Sequence, residues 1–306
     1  MSRFTGIIPP VVTPFTADGE IDFASLDRVV EHLIDGGMHG LFLMGSSGEV
    51  AYLTDDQRVQ LVEHVVAKVA GRVPVLAGAI DTTQARVIDQ ARRMVAAGAE
   101  AIVATCPFYA INDAKEIEDH FRAIAAAIDV PLFAYDVPVR LNGVKLDHEM
   151  LVRLGKEGVI VGVKDSSGND VSFRRLVALN EAEGHPLSLL TGHECVVDGM
   201  LLLGADGLVP GYANVDPVRY AKLWEAAQAG DWARARELQD EICAGFEIVF
   251  QAKGRSGDAA GIGAFKTAMQ ALGVIASNQM AYPVRGFEGE LVERVKAVMR
   301  GAGLLD

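Results

Sequence analysis

The 306-residue sequence lacks the features that mark several classes of protein. Its three cysteines, Cys106, Cys195 and Cys243, are too few and too scattered for a disulfide framework and suit a reducing cytoplasm. Acidic residues outnumber basic ones by 41 to 28, and a formal net charge of −13 with no long basic run argues against nucleic acid or anionic membrane as a partner. No apolar run approaches the roughly 18 residues of a membrane span, and no signal peptide is evident. We therefore expect a cytoplasmic protein.

Motifs that bind metals or nucleotides are also missing. The seven histidines form no HxxxH pair and no CxxC occurs, so the sequence predicts no protein-bound transition metal. Neither GxGxxG nor GK[ST] is present, which argues against a dinucleotide site or a phosphate loop. Half of the residues are hydrophobic, enough for a sizeable core, and the length fits one large domain or a large and a small one.

The stretch from Val159 to Gly168, VIVGVKDSSG, is the most informative in the chain. Its apolar and glycine residues run directly into Lys164, and a turn and helix-start signal follows. Such a run is typical of a parallel strand buried on both faces, so the strand would end on a lysine surrounded by hydrocarbon. Desolvation disfavours the ammonium form, which makes a lysine a nucleophile able to form a Schiff base with a keto group. The alternative is a strand-end lysine that extends to water.

Short apolar runs alternate with helical patterns along most of the chain. The predicted strands occupy residues 6–12, 40–45, 73–78, 101–106, 131–137, 159–164, 187–191 and 207–210. Strands alternating with helices indicate a parallel sheet, and eight such units fit a (β/α)₈ TIM barrel better than a doubly wound sheet. We predict this barrel over residues 1–230, with the active site, and an appended C-terminal three-helix region over residues 231–306.

In this fold, chemistry takes place at the C-terminal ends of the strands. The loop Gly45–Glu49, GSSGE, can direct backbone N–H groups at a carboxylate, or it is only a turn before a helix. Tyr135, near the end of the fifth strand, can relay protons unless it is merely a packed side chain. Arg140 can clamp a second carboxylate, and His193 and Glu194 can contact substrate hydroxyls; otherwise these three side chains face solvent.

Together these segments resemble one family. Lys164 in GVKDSSG, Tyr135 in YDVP and the loop GSSGE, in this order on eight βα units, are similar to the dihydrodipicolinate synthase and N-acetylneuraminate lyase family. The resemblance extends over essentially the whole chain. The family commonly has GTTGE or GSTGE and YNxP, so this chain keeps both loop hydroxyls but places Asp136 where asparagine is usual. Members are class I, Schiff-base, pyruvate-handling enzymes that need neither metal nor organic cofactor.

The resemblance implies a role for each matching residue. Lys164 would form the Schiff base with pyruvate or another 2-keto acid, Tyr135 would be the general acid and base, and Ser46 would join the proton relay. Tyr109, in CPFY, matches the tyrosine that members lend to a neighbouring subunit, which implies an oligomer, usually a homotetramer built as a dimer of dimers. The candidate substrate contacts are Ser47, Gly48, Arg140, Gly192, Glu194 and Val209.

The resemblance leaves the reaction open. Arg140 stands where the synthases keep an arginine for the carboxylate of aspartate semialdehyde. The loop GSSGE, the segment LNGVKL and the stretch GIGAFKTAMQALG, which lacks NPxPxK, are more similar to the lyases. We therefore favour a lyase that releases or adds pyruvate at a 2-keto-3-deoxy sugar acid, with an aldehyde as co-substrate. The alternatives are dihydrodipicolinate synthase, a keto-deoxy sugar acid dehydratase, and a catalytically silent barrel that binds a keto acid.

Overall fold

The computed structural model of the chain describes residues 4–306. Its eight parallel strands are β1 (Gly6–Ile7), β2 (Leu41–Leu43), β3 (Val75–Gly78), β4 (Ala101–Thr105), β5 (Leu132–Asp136), β6 (Gly162–Asp165), β7 (Ser188–Thr191) and β8 (Gly207–Leu208). The helices that alternate with them are α1 (Phe23–Asp35), α2 (Asp55–Val69), α3 (Gln84–Ala96), α4 (Ala114–Ala125), α5 (His148–Lys156), α6 (Asp170–Ala182), α7 (Val197–Leu202) and α8 (Pro217–Gln228).

The strands form one curved sheet in the order β1-β8-β7-β6-β5-β4-β3-β2. The chain beyond β1 completes the ring, because Pro10 pairs in parallel with Phe42 of β2 and the Phe42 N–H donates to the Pro9 carbonyl at 3.0 Å. Proline has no N–H to donate to the hydrogen-bond ladder of a sheet, so the pairing here is irregular. Strand β1 is therefore much shorter than the predicted residues 6–12. The predicted (β/α)₈ barrel is confirmed.

The local sequence explains why these elements form. All strand residues of β2 to β8 are buried, as expected for apolar runs covered by helices on one side and by barrel side chains on the other. Helix α1 buries Leu26, Val29, Val30 and Leu33, which follow the 3.6-residue period. Thr54 and Gln57 form a capping box that begins α2.

Three further helices follow the barrel: α9 (Trp232–Phe246), α10 (Gly257–Ala271) and α11 (Glu290–Gly301). Helix α9 packs directly against α8, so the domain boundary at residue 230 stays a prediction. The Phe265 ring of α10 lies 6.1 Å from the Tyr212 ring, which belongs to the turn after β8, so α10 lies at the C-terminal mouth of the barrel. Of the helices within residues 4–306, none combines the length and apolar character that a membrane crossing requires.

Candidate active site

Lys164 and Tyr135 are neighbours across two paired strands. The Cα of Lys164 in β6 is in register with that of Tyr135 in β5, and both residues are buried, with 5% and 3% of their surface exposed. The Lys164 Nζ lies 4.2 Å from the centroid of the Tyr135 ring and 4.8 Å from that of Phe42. The amine that the sequence placed at a strand end is therefore inside the barrel, between two aromatic faces, and does not extend to water.

The Tyr135 hydroxyl has polar neighbours, although the surroundings of the Lys164 amine are largely aromatic. Burial raises the pKa of Tyr135, but the nearby Lys164 charge and hydrogen bonds with the side chains of Ser46, Ser166 and Lys164 outweigh it, so the pKa is lower than that of a free phenol. The structure places Ser46 beside the phenol, and its role in a proton relay stays a prediction. Ser166 is a second hydroxyl partner that sequence reasoning missed, although it lies two residues beyond the lysine.

The loop Gly45–Glu49 makes a tight turn against the first segment of the barrel. The Gly48 N–H donates to the Gly45 carbonyl at 3.1 Å and the Glu49 N–H to the Ser46 carbonyl at 3.0 Å. Within residues 4–306, the N–H groups of Ser46 and Ser47 have no acceptor, so these two can receive a carboxylate. A β-carbon at Gly48 would lie 3.1 Å from the Met44 nitrogen, a tight contact that favours glycine, and the substrate contact of Gly48 stays a prediction.

Gly192 and Val209 lie at the ends of β7 and β8. Any β-carbon at Gly192 would collide with the Ser166 Oγ, so a glycine here leaves room for the side chain that reaches Tyr135. The Gly192 N–H donates to the Asp165 carbonyl at 2.7 Å, which joins the β6 and β7 loops. Val209 is buried, and its N–H donates to the Thr191 carbonyl at 2.7 Å. Their substrate contacts stay predictions.

Glu194 was expected to contact substrate hydroxyls, and this contact stays a prediction; in the structure its carboxylate binds donors of the protein. Its carboxylate accepts from the N–H groups of Gly211 at 2.6 Å and Tyr212 at 3.2 Å and from the Tyr220 hydroxyl at 2.9 Å. Burial raises the pKa of Glu194 to about 7, although these hydrogen bonds lower it. The carboxylate thus holds the turn after β8. Its neighbour His193 pairs with Asp170 of α6 at 2.8 Å.

A cavity of about 300 Å³ opens at this end of the barrel. Ser46, Tyr135 and Arg140 line it, together with Tyr52 and Asp258, which the sequence did not single out. Arg140 was predicted to clamp a substrate carboxylate, but its guanidinium is paired with the Asp258 carboxylate, from the first turn of α10. No local sequence signal connects these two residues, which are 118 positions apart.

Tyr109 lies at the surface of the chain. Its side chain is exposed, at 90% of its surface, and its backbone adopts a left-handed φ of 71°. The predicted role toward a neighbouring subunit stays a prediction.

Two buried clusters of charged side chains lie next to the candidate site residues. Lys145 is paired with both Asp136 and Asp165, the residues that directly follow Tyr135 and Lys164. Burial raises the pKa of Asp136 to about 6 even though Lys145 lowers it. The departure from the family's YNxP is therefore accompanied by a lysine, which neutralises the extra carboxylate and ties the ends of β5 and β6 together.

The second cluster joins the loop Gly45–Glu49 to α10. Glu49 is paired with Lys266, both side chains are fully buried, and the Glu49 carboxylate also accepts from the Ala281 N–H at 2.8 Å. Burial lowers the pKa of Lys266 to about 8, while Glu49 raises it. The loop that carries Ser46 and Ser47 is thereby fixed to the C-terminal helices.

A larger cavity, of about 850 Å³, lies at the opposite end of the barrel, near the first residues of the strands. The candidate residues of the sequence analysis do not line it, and in barrels of this kind the chemistry is found at the C-terminal end. We therefore assign the site to the smaller cavity. Within residues 4–306, no group of three or more histidine, cysteine or acidic side chains is placed to hold a metal ion.

Comparison with known proteins agrees with this geometry. Residues 3–302 match the family model described as the dihydrodipicolinate synthetase family. The chain is 34% identical over 304 residues to the 4-hydroxy-tetrahydrodipicolinate synthase of Phenylobacterium zucineum, covering 99% of this chain and 98% of that protein. It resembles the structure of dihydrodipicolinate synthase from Bacteroides thetaiotaomicron with a TM-score of 0.90, at 30% identity over 97% and 98% of the two chains.

A further structural match is YagE, a prophage protein of the same family from E. coli K12, in complex with pyruvate. Its TM-score is 0.92 at 26% identity, and the match covers 99% of this chain and all of that one. Members of this family are Schiff-base, pyruvate-handling lyases, and the chain is an enzyme of this type. The protein belongs to the dihydrodipicolinate synthetase family.

Proposed function

We propose that the protein cleaves a 2-keto-3-deoxy sugar acid into pyruvate and an aldehyde, through a Schiff base on Lys164. The observation that carries the proposal is the buried Lys164 amine against the face of Tyr135, whose hydroxyl is bonded to Ser46 and Ser166. A buried amine, a phenol of lowered pKa and neighbouring hydroxyls are the groups that imine formation needs. The match to YagE, described in complex with pyruvate, supports the keto acid.

The steps follow from this arrangement. The Lys164 nitrogen attacks the keto carbon, and loss of water gives a protonated imine. Tyr135 takes the proton of the substrate's C4 hydroxyl, the C3–C4 bond breaks, and its electrons enter the imine as an enamine while the aldehyde leaves. Protonation of the former C3 and hydrolysis of the imine release pyruvate. The N–H groups of Ser46 and Ser47 hold the keto-acid carboxylate throughout.

The second candidate is the synthase reaction, in which the same enamine attacks aspartate semialdehyde. The relatives named 4-hydroxy-tetrahydrodipicolinate synthase favour it. The arginine that would bind the carboxylate of that aldehyde, Arg140, is occupied by Asp258, which favours the sugar acid. A dehydratase would share the imine and then expel water. We further propose that the active form is a homotetramer in which Tyr109 completes a neighbour's relay.

The test is borohydride trapping followed by a substrate panel. Pyruvate with borohydride should add one pyruvyl mass at Lys164, whereas Lys164→Ala should add none and the control Lys115→Ala, on the surface of α4, should behave as the unaltered enzyme. If borohydride and pyruvate add no mass to the intact protein, only the hypothesis of a catalytically silent barrel remains. Release of pyruvate from 2-keto-3-deoxy sugar acids supports the lyase, and consumption of pyruvate with aspartate semialdehyde supports the synthase instead.

The Tyr135 role has its own readout. Tyr135→Phe should still trap pyruvate but turn over roughly 10²- to 10⁴-fold more slowly, which is the usual contribution of a positioned acid or base. Tyr282→Phe, on an exposed tyrosine, is the matched control. An unchanged rate in Tyr135→Phe would remove this residue from the mechanism.

A further inference from the structure

The mouth of the candidate cavity carries a paired charge where the sequence suggested a free one. Arg140 reaches across the mouth to Asp258, its Nη1 lies 3.4 Å from the Asp258 Oδ2, and its Nη2 binds Oδ1. The Tyr52 hydroxyl lies 3.5 Å from the same Oδ2. All three residues line the cavity that also contains Ser46 and Tyr135. The three groups therefore share a cavity with Ser46 and Tyr135, and a substrate in that cavity would meet them.

The charges of this group cancel. Burial lowers the pKa of Arg140, but the Asp258 carboxylate raises it by more than burial lowers it, so the guanidinium stays charged. Both of its terminal nitrogens donate to the same carboxylate. Asp258 is the more buried partner, with 20% of its side chain exposed against 45% for Arg140. A second carboxylate at this position would meet a cation that is already neutralised and an anion beside it.

We propose that Asp258 is a specificity-determining residue that selects substrates with a neutral, hydroxyl-bearing far end and rejects those with a second carboxylate. Asp258 offers carboxylate oxygens as acceptors, and Tyr52 offers a phenol, so sugar hydroxyls find both kinds of partner. This inference rests on the proposed function and narrows it to 2-keto-3-deoxyaldonates, as opposed to aldarates or aspartate semialdehyde.

The experiment measures Schiff-base trapping, which requires no turnover. Borohydride trapping is titrated with 2-oxopentanoate and 2-oxohexanoate, and with 2-oxoglutarate and 2-oxoadipate, which have the same chain lengths but end in a carboxylate. Each value is normalised to pyruvate trapping in the same variant. The variants are Asp258→Asn, Arg140→Gln and the control Asp240→Asn, which removes the same charge from an exposed position on α9.

The expected results go in opposite directions. Asp258→Asn should raise the preference for the dicarboxylates roughly fivefold, the effect of a partly exposed charge pair, whereas Arg140→Gln should lower it. Asp240→Asn should leave it unchanged. An unchanged or reversed preference in either site variant, with pyruvate still trapped by the unaltered enzyme, overturns the role of Asp258 alone. Failure of the unaltered enzyme to trap pyruvate overturns the proposed function and this inference with it.

Discussion

Helix α10 contributes two ion pairs to the barrel mouth, and they differ in burial. Lys266 and Glu49 are completely buried, whereas 45% of the Arg140 side chain and 20% of the Asp258 side chain are exposed. A buried pair costs several kcal/mol to break because the remaining charge has no water, while an exposed pair contributes little to stability. The same helix thus fixes the loop Gly45–Glu49 through one pair, and the other is the pair that we propose to influence substrate choice.

The largest effect should come from breaking the buried pair. Lys266→Met leaves the Glu49 carboxylate buried without a cation, and we expect the free energy of unfolding to fall by about 4 kcal/mol. Urea unfolding at pH 7 measures it. The double variant Glu49→Gln/Lys266→Met should recover part of the loss, and Lys296→Met, from a half-exposed pair on α11, is the control. If the single variant loses less than the control, the pair is not structural.

An intermediate effect is expected at Lys145, whose side chain is 27% exposed between Asp136 and Asp165. Lys145→Met leaves two adjacent buried carboxylates, but Asp136, with a pKa of about 6, can take up a proton and limit the cost. We expect a loss of about 2–3 kcal/mol at pH 7 that becomes smaller at pH 5. Lys156→Met, from an exposed pair on α5, should show neither effect. A loss that grows toward pH 5 would contradict this account.

Glu194 sharpens the comparison because the hydrogen bonds to its carboxylate come from neutral donors, the N–H groups of Gly211 and Tyr212 and the Tyr220 hydroxyl. Its pKa of about 7 exceeds the ordinary 4.5, so the native state binds a proton that the unfolded state releases, and this contribution to stability is lost as the pH rises from 4.5 to 7. The unaltered protein should therefore lose on the order of 1–2 kcal/mol of unfolding free energy through this carboxylate between pH 5 and pH 7, and Glu194→Gln should abolish that loss.

Thermal unfolding over that pH range, with Glu237→Gln on the surface of α9 as control, measures the Glu194 contribution. Equal pH slopes in the Glu194→Gln variant and the unaltered protein would show that the carboxylate is ionised throughout.

The smallest effect on stability is expected at the exposed pair. Asp258→Asn should change the free energy of unfolding by about 0.5 kcal/mol or less, because a partly exposed pair is screened by solvent. Urea unfolding beside Asp240→Asn measures it. A loss comparable to that of Lys266→Met would mean that the pair is structural and that the contrast between the two ion pairs of α10 is wrong.

The sequence predicted much of the fold and part of the site. Alternating apolar runs and helical patterns are local signals, and they gave the eight βα units and the buried end of β6 that carries Lys164. The register that places Tyr135 beside Lys164 follows from two strands being adjacent in a parallel barrel. Strand β1 was predicted too long, because Pro9 and Pro10 are extended but cannot complete a ladder.

The contacts that modify the site were not predictable in this way. Ser166 lies beside the lysine in sequence, yet its contact with Tyr135 depends on Gly192 of another strand leaving space. Glu194 was expected to contact substrate hydroxyls because it lies on the loop after a strand end, and that position does not reveal the N–H groups of Gly211 and Tyr212 that also bind it. Hydrogen-bond partners of this kind have no periodicity that a single sequence displays.

By itself the sequence determined a barrel with an amine and a phenol at adjacent strand ends, because strand periodicity and burial are written locally in the order of residues. Only the tertiary structure decided which charges at the mouth are free. Arg140 meets Asp258 across 118 positions and Lys266 meets Glu49 across 217, contacts that exist only once the barrel has closed and α10 has folded over its mouth.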